Sequence, residues 1–535
     1  MNLINNVSAD KLRGGFYTPD LISSFIVNWA LDGKSKYDVL EPSCGDGSFL
    51  RAVKRENSKY NSLKALEFLD VEAEKANKIN LTNCNVINGD FLNYSNTTKD
   101  KFDVVIGNPP YIRYQYLSKE QQLESSRVFE RVGIKHSKLT NIWVTFVIAS
   151  SLLLKEKGKI AFVLPAEILQ VSYAKPLREF LIKYFNKISI VSFKKLVFEK
   201  IQQEVVLLLC EKNGDNNDHL IDHIEVNDAK CLGDIDMHKL THPQKKLDFN
   251  SNKWTYYFLE QKEIDFLEDI NKNNNILPKI KNYADIQIGI TTGANKYFSV
   301  PHSIVEKYDL FEYAKKLVGR SVQVPSATFI NEDWEMNKDD EKRSYLLEFP
   351  KRDTIKNKKV LEYLDYGMKE KIHKGYKCSI RDEWQIIPSL WIPEALFLRR
   401  SNLYPKLVRN DVKAYTTDTM HRVKLHDKTQ LNAFIGSYYN SLSLAFTEIS
   451  GRSHGGGVLE LMPSEVENII LPFHDSNSDL IEKIDKMLRE KKSIENILDE
   501  TNTQILKKNY GFSTEEIKLS ESIRRKLMLR RLHRN

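Results

Sequence analysis

Short apolar runs alternate with helical patterns from Asp38 to Leu209. The runs are rich in Val, Ile, Leu and Phe, have the length of buried strands, and lie at 38–41, 63–69, 86–88, 102–107, 159–165, 188–191 and 205–209. Helical patterns lie before the first run, at 21–30, and between later runs, at 141–155 and 174–184. This alternation is typical of an α/β protein, and we predict a Rossmann-like, doubly wound sheet.

The pattern changes after the polar segment 212–218, which predicts a surface loop. Beyond it, 286–298 alternates like a strand and then turns through glycine, and 459–465 continues to a predicted strand that ends at Pro472. From about 476 the chain becomes charged and helical. Because 535 residues exceed one compact core, we predict three segments: an α/β domain at 1–240, an α+β domain at 241–475 and a charged helical segment at 476–535.

The composition is that of an ordinary globular protein with a mild positive charge. Hydrophobic residues make up 41% and charged residues 28% of the chain, and the net charge is +8. The five cysteines form no C-x-x-C pair, which argues against a zinc site or disulfides. No signal peptide is visible, and the apolar stretch 142–154 is too short to span a bilayer. We expect a cytoplasmic protein without a bound metal, whose charge suits a phosphate-bearing partner.

The strand at 102–107 ends in the tetrapeptide Asn108, Pro109, Pro110 and Tyr111. Two prolines make the chain leave the sheet in a stiff turn, because proline has a fixed φ and no N–H group. The Asn108 side-chain oxygen and the Pro109 carbonyl then serve as acceptors beside the Tyr111 ring. This arrangement suits a planar ligand with an amino group, since the oxygens hold its hydrogens while the ring stacks on it. A purely structural turn is the alternative.

Three acidic residues follow successive predicted strands at one edge of the sheet, where open α/β sheets bind ligands. Glu41 precedes a turn containing Gly45, whose missing Cβ allows a close approach of the backbone. An acidic turn suits a cationic ligand rather than a pyrophosphate. Glu67 is placed to accept ribose hydroxyls, and Asp90 to accept an adenine amino group with Phe91 packing on the ring.

These elements resemble the γ-type S-adenosylmethionine-dependent DNA adenine-N6 methyltransferases. The resemblance rests on Glu67 and on four motifs in the family's order, F-Y-T-P at 16–19, E-P-S-C-G-D-G at 41–47, G-D-F at 89–91 and N-P-P-Y at 108–111. It is strong over 10–211 and looser beyond. It implies that 1–240 is the methyltransferase catalytic domain and that 241–475 is the DNA target-recognition domain.

The resemblance also implies roles for individual residues. S-adenosylmethionine would be bound by Thr18, Glu41, Glu67, Asp90 and Pro109, together with Gly45 and Phe91. The target adenine would be held by Asn108, Pro109 and Tyr111, with Phe198 packing on the extruded base. Phe193 is a rival for that last role, core packing is an alternative for either, and helix capping is a sufficient reason for Thr18.

The proposed site suits methyl transfer to an exocyclic amine. The lone pair of such an amine is delocalised, and hydrogen bonds to Asn108 and Pro109 would localise it and stabilise the developing charge. Positioning supplies most of the rate, and no covalent enzyme intermediate is needed. The adenine must be rotated out of the duplex. The polar connection 113–136 is predicted to be a long loop over this base.

In the second half, basic residues near glycine-rich turns are candidates for DNA contact, and they are Lys296, Arg399, Arg400, Arg452 and His454. Similar T-G-A-N and G-R-x-x-G-G-G patterns occur in recognition domains of related methyltransferases. Plain surface turns are the alternative, and which residues read bases is left open. The basic end at 524–534 is either an accessory phosphate grip or a frayed tail.

Two other functional classes share parts of this pattern. N-P-P-Y methyltransferases also act on RNA or on protein glutamine, because the glutamine amide offers the same amino group. The chain is alternatively a methylase fused to, or serving as a subunit of, a restriction nuclease. We expect a monomer that acts on double-stranded DNA and protects it from a companion restriction endonuclease, with no stable complex between the two enzymes.

Overall fold

The computed structural model describes residues 18–32, 36–135, 137, 140–198, 204–212, 219–242, 244–247, 253–272 and 277–532. Phe16 and Tyr17 of the F-Y-T-P motif lie outside the described residues. The chain divides into two compact units, of which the first ends at Ile264 and the second begins at Asp265. The domain boundary after residue 240 stays a prediction. No helix in the described ranges is long and apolar enough to cross a membrane.

Within the described residues, the first unit is built on one nine-stranded sheet. Its strands are β1 (Tyr37–Glu41), β2 (Tyr60–Glu67), β3 (Cys84–Asn88), β4 (Phe102–Gly107), β5 (Leu154–Pro165), β6 (Lys187–Phe193), β7 (Val205–Glu211), β8 (Leu220–Val226) and β9 (Lys245–Lys246). Their order across the sheet is β3-β2-β1-β4-β5-β7-β6-β8-β9. Strands β1 to β5 pair in parallel, and β7 runs antiparallel between β5 and β6. The predicted doubly wound α/β sheet is confirmed.

Helices alternate with these strands along the chain, and the last of them, Gln261–Lys272, crosses the boundary between the two units. They are α1 (Asp20–Ala30), α2 (Ser48–Arg55), α3 (Asp70–Asn77), α4 (Phe91–Thr97), α5 (Lys119–Arg131), α6 (Ile142–Leu152), α7 (Lys175–Tyr184), α8 (Met237–Thr241) and α9 (Gln261–Lys272). The central strands are apolar runs because neither face of them meets water, and Val39, Leu40, Val104 and Val105 are completely buried.

The prediction of a loop over the whole of 113–136 is wrong, because α5 occupies 119–131. Ser118 and Gln121 form a capping box that satisfies backbone N–H groups at the start of α5. One narrow face of the helix is buried, formed by Ser125, Val128 and Phe129. This spacing of three and four residues is helical, but the many polar residues around it hid the pattern.

The second unit contains three smaller sheets among its described residues. Their strands are β10 (Ala284–Ile288), β11 (Ser299–Val300), β12 (Ala314–Val318), β13 (Thr328–Phe329), β14 (Tyr345–Leu347), β15 (Ala395–Leu398), β16 (Arg400–Ser401), β17 (Leu407–Asn410), β18 (Tyr415–Thr416), β19 (Met420–Leu425), β20 (Arg452–His454) and β21 (Val458–Glu460). The sheet orders are β10-β19-β15-β17-β13, β11-β14-β12-β18 and β16-β21-β20. The predicted α+β class of this region is confirmed.

The helices of the second unit include a helical C-terminal region, as predicted. They are α10 (Asn295–Phe298), α11 (His302–Lys307), α12 (Asn331–Asp339), α13 (Lys358–Lys369), α14 (Tyr376–Ser379), α15 (Leu431–Tyr438), α16 (Ser441–Ser450), α17 (Pro463–Glu467), α18 (Leu480–Arg489), α19 (Ile494–Asn502) and α20 (Thr514–Leu532). Of the strand predicted to end at Pro472, the described structure has an isolated antiparallel bridge between Ile470 and Lys279, and Pro463–Glu467 before it is helical. Pro463 stands in the first turn of α17, where its missing N–H costs nothing.

The basic end of the chain was predicted to be either a phosphate grip or a frayed tail. Arg531 fits neither description, because its side chain is buried in α20. Its guanidinium donates two hydrogen bonds to the Glu448 carboxylate, at 2.8 and 2.7 Å. It also donates to the carbonyls of Gly457 (2.6 Å) and Leu403 (2.9 Å). Arg531 therefore joins α20 to α16 and to the glycine-rich turn at 455–457.

We expect Arg531→Ala to destabilise the protein by about 3–5 kcal/mol, because it leaves the Glu448 carboxylate buried without a partner. Chemical denaturation of the full chain measures this change. Arg525→Ala on the same helix is the matched control, because Arg525 is exposed. Equal stability of the two variants would contradict the role assigned to the buried pair.

Candidate active site

The predicted site residues of the first unit lie at one edge of the sheet. Glu41 and Glu67 are the last residues of β1 and β2, which are parallel neighbours. Asp90 follows β3 closely, and Asn108 follows β4 directly. Because β3, β2, β1 and β4 are adjacent and parallel, their carboxyl ends meet at the same edge. The sheet thus brings together residues that are up to 67 positions apart, from 41 to 108.

The Asn108 side-chain amide is held in one orientation. Its Nδ2 donates to Thr18 Oγ1 at 3.2 Å, and its Oδ1 accepts a hydrogen bond from the Tyr111 hydroxyl at 2.9 Å. The Ser43 hydroxyl donates to the main-chain carbonyl of Asn108 at 3.2 Å. These contacts distinguish the oxygen end of the amide from its nitrogen end and fix the proline turn to the turn after β1.

The aromatic residues of the predicted base site are more buried than the sequence indicates. The Tyr111 hydroxyl also lies 3.1 Å from the Val163 carbonyl, and burial raises the pKa of this tyrosine well above its usual value. Its ring packs on the hydrophobic core, which also includes Phe198 and Phe193. The structure therefore places all three rings in or against the core, and their contact with a base stays a prediction.

Glu67 accepts two backbone hydrogen bonds that shape the turn after β1. The Gly45 N–H donates to Glu67 Oε2 at 2.8 Å, and the Leu69 N–H donates to Oε1 at 3.0 Å. Gly45 has a φ of 52°, and a Cβ built there would have no atom within 4 Å. At Gly47 a Cβ would lie 2.2 Å from Ile79 Cδ1. Space for a ligand therefore lies in front of Gly45 and not at Gly47.

Glu41 is the most unusual group of the site. The residue is only 1% exposed, and neither of its carboxylate oxygens has a hydrogen-bond partner in the described structure. Burial raises its pKa well above the ordinary value, and the nearby carboxylates of Glu67 and Asp46 raise it further. A buried carboxyl group without donors is costly. Its position beside Gly45 fits a ligand that brings a positive charge and N–H donors.

Two phenylalanines lie close in the chain to the strand-end acids, and they differ in exposure. Asp90 caps α4 by accepting the Asn93 N–H at 3.0 Å, and Phe91 is buried with its ring centre 5.0 Å from that of Phe146. Phe68 is 59% exposed and directly follows Glu67. A ligand contact of Phe91 stays a prediction, and the exposed Phe68 ring is a second candidate, indicated by its place one residue beyond a strand-end acid.

We expect Phe68→Ala and Phe91→Ala to have opposite profiles. Removing the buried Phe91 ring leaves a cavity and should cost about 3–5 kcal/mol of stability. Removing the exposed Phe68 ring should change stability by less than about 0.5 kcal/mol but weaken binding of an adenosine-containing ligand. Thermal unfolding and equilibrium binding separate these effects. A stable Phe91→Ala variant with impaired binding alone would return the ligand role to Phe91.

Three of the five basic candidates of the second unit pair with one carboxylate. In the sheet β16-β21-β20, Glu460 pairs with Arg400 (2.9 Å), Arg399 (3.0 Å) and His454 (2.9 Å). The His454 hydrogen bond and the two guanidiniums lower the pKa of Glu460 to about 2. We call Arg399, Arg400, Arg452 and His454 the arginine cluster. Every member has an acidic partner, because Arg452 pairs with Glu465 at 3.0 Å.

Lys296 lies outside this sheet, in α10. Its chain neighbour Asn295 and one member of the arginine cluster, Arg399, contact the same residue, Asp418. Asn295 donates to Asp418 Oδ1 at 3.0 Å, and Arg399 donates to the Asp418 carbonyl at 3.1 Å. Asp418 therefore links the start of α10, next to Lys296, to Arg399.

Comparison with known proteins agrees with this architecture. The family described as "Eco57I restriction-modification methylase" matches residues 34–198. The family described as "Type II methyltransferase M.Eco57I, C-terminal domain" matches residues 251–506. The first match contains the acidic edge and N-P-P-Y, and the second contains the arginine cluster.

Individual relatives span different shares of the chain. Type II methyltransferase M.AccI of Acinetobacter calcoaceticus is 24% identical over 481 residues, which is 84% of this chain and 84% of its own length. M.HincII of Haemophilus influenzae is 30% identical over 209 residues, 38% of each chain. The structure of the Type IIL restriction-modification enzyme MmeI in complex with DNA has a TM-score of 0.59 at 11% identity, covering 96% of this chain and 76% of its own. The predicted resemblance to type II methylases is confirmed. Both halves of the chain therefore match Eco57I-type restriction-modification methylase families, and type II methyltransferases are among its relatives.

Proposed function

We propose that the protein transfers a methyl group from S-adenosylmethionine to N6 of an adenine rotated out of double-stranded DNA. The observation that carries this proposal is the shared sheet edge, where an oriented Asn108 amide and the unpartnered Glu41 carboxyl group lie at the ends of adjacent strands. The Asn108 amide suits a neutral amine, and the Glu41 carboxyl group suits a cation.

The residues present fit the cofactor. S-adenosylmethionine, when bound, supplies a methyl group activated by a positively charged sulfur. Glu41 would accept from its ammonium group, and Glu67 and Asp90 would accept from its ribose hydroxyls and its adenine amino group. The open space in front of Gly45 admits the ligand, and the exposed Phe68 ring offers an apolar surface.

Asn108 and Pro109 would act on the target amine. Their oxygens accept its two hydrogens, which holds the nitrogen in place and stabilises the positive charge that develops on it. An amide is too weak a base to remove the proton beforehand, so the proton leaves after transfer. Thr18 and Tyr111 support this step by keeping the Asn108 oxygen in a fixed orientation.

The relatives of this chain and the basic residues of its second unit both favour double-stranded DNA as the substrate. MmeI has been solved in complex with DNA, and M.AccI and M.HincII are type II methyltransferases. The second unit supplies the arginine cluster, and arginine is well suited to hold bases and phosphates through paired hydrogen bonds. The biological role would be protection of DNA against a companion restriction endonuclease.

Expression in a host without DNA methylation, followed by sequencing that detects modified bases, tests the proposal. The expected result is N6-methyladenine in one defined sequence context. Methylcytosine in its place would refute the adenine assignment. In parallel, tritiated cofactor is incubated with DNA, RNA or protein, and label in RNA or protein alone would refute the DNA assignment.

A further inference from the structure

Four exposed lysines lie on two segments that meet at the glycine turn before α10. They are Lys296, Lys371, Lys374 and Lys377. Three of them lie in the segment 369–382, which has five basic residues and two acidic ones. We call Lys296 together with the segment 371–381 the lysine platform. Tyr376, in the middle of this segment, is 76% exposed.

The two parts of the lysine platform form one surface. A Cβ built on Gly293 would lie 2.7 Å from Lys377 Cβ, so the glycine turn packs directly on α14. The Arg381 guanidinium donates to the Thr292 carbonyl at 2.7 Å and to the Thr291 carbonyl at 3.4 Å. A side chain at position 293 would separate the two segments.

A buried aromatic layer holds this surface in place. The Tyr297 hydroxyl donates to the Tyr363 carbonyl at 3.0 Å, and the Tyr363 hydroxyl donates to the Tyr297 carbonyl at 2.7 Å. The two rings are stacked with centres 4.6 Å apart, and the Trp384 ring lies 5.5 Å from that of Tyr297. The lysine platform is therefore fixed to α13 rather than carried on an independent loop.

The charges of the lysine platform differ from those of the arginine cluster. Every member of the arginine cluster has a carboxylate partner. Among the residues that the structure describes, none of the four lysines forms an ion pair. A cation without a partner keeps its full field and attracts phosphates, and pairing with DNA releases condensed counterions. A cation held by a carboxylate contributes less to that release but has a fixed geometry.

We propose that the lysine platform binds the DNA phosphate backbone independently of sequence. This inference rests on the proposed function, because it takes DNA as the substrate. The exposed hydroxyl of Tyr376 adds a neutral donor to the same surface, in keeping with the polar side chains that contact phosphates in other complexes. The contacts that depend on sequence are then left to the arginine cluster.

The test is the salt dependence of binding by the full chain. The triple variant K371Q/K374Q/K377Q is compared with wild type on a random-sequence duplex, and affinity is measured over a range of salt concentrations. Each lost phosphate contact should reduce the slope of log K against log salt by about 0.9, so the slope should fall by about 2–3. The control is K486Q/K492Q/K508Q, which removes the same charge from exposed positions of the C-terminal region.

The outcomes separate this inference from the proposed function. An unchanged slope in the platform variant, or an equal fall in both triple variants, would overturn the role of the platform while leaving DNA as the substrate. Failure of the wild-type protein to bind any duplex would overturn the proposed function itself. Thermal unfolding and cofactor binding, expected to be unchanged, verify that the platform variant is folded.

Discussion

Replacing Asn108 with alanine is expected to lower the rate of methyl transfer by about 10³-fold. This is the upper end of the effect of losing one preorganised polar contact in an active site. The alanine removes the amide oxygen that would hold the target amine. It also removes the partner of Thr18 and Tyr111. Glu41, Glu67 and Gly45 are unaffected, so cofactor affinity should stay within about threefold of wild type.

Single-turnover transfer of a tritiated methyl group measures the rate, and equilibrium binding measures the cofactor affinity. Asn77→Ala is the matched control, because Asn77 is exposed at the end of α3 and should leave both quantities unchanged. Normal turnover by Asn108→Ala would remove this residue from the chemistry. Loss of cofactor binding together with turnover would mean that the proline turn itself had collapsed.

The sequence predicted the sheet edge well because two independent signals coincide there. Central parallel strands are apolar on both faces, so the buried parts of β1, β4 and β5 stand out as short apolar runs, at 39–40, 104–106 and 160–164. Polar residues that follow such runs must lie at the carboxyl edge. Glu41, Glu67 and Asn108 could therefore be placed together before the order of the strands was known.

The burial of the aromatic residues was not predictable in the same way. Phe68 and Phe91 both follow strand-end positions, yet Phe68 is exposed and Phe91 packs on Phe146. The difference depends on α4, which begins at Phe91 and turns that side chain inward. Such a choice is made by tertiary packing, and one sequence contains no signal for it.

The pairing of charges is also a tertiary property. Arg399, Arg400 and His454 are linked by Glu460 through the register of three short strands, each of only two or three residues. The basic end of the chain looked solvated by composition, yet Arg531 is buried against Glu448. Sequence periodicity identifies the face of an element, whereas the partner of a charge depends on which elements meet.

Replacing Glu41 with glutamine is expected to stabilise the protein without cofactor and to weaken cofactor binding. Neither oxygen of Glu41 has a hydrogen-bond partner, so the amide loses no contact and removes a carboxyl group that Glu67 and Asp46 disfavour. The gain should be about 1–3 kcal/mol at neutral pH. The cofactor loses a charge-assisted contact, which should weaken binding by roughly 10²-fold.

The pH dependence of stability and of cofactor affinity tests the role of Glu41 independently. The pKa of Glu41 is raised in the folded protein above its ordinary value of 4.5, so between these two values the folded state binds more protons than the unfolded state. The stability of the wild-type protein should therefore fall as pH rises above about 4.5, and Glu41→Gln should lack this contribution. Cofactor affinity of the wild type should rise with pH over the same window, because the carboxylate is the form that accepts a cation.

Thermal unfolding with and without cofactor, at several pH values, measures both effects on one sample. Glu74→Gln on the exposed face of α3 is the matched control, and it should change neither stability nor affinity. A Glu41→Gln variant that is less stable than wild type without cofactor, or that binds the cofactor equally well, would contradict the role of Glu41. The gain in stability and the loss of cofactor affinity have opposite signs, and this combination is the decisive result. If Glu41 served packing alone, its replacement would lower both the stability of the protein and its affinity for the cofactor.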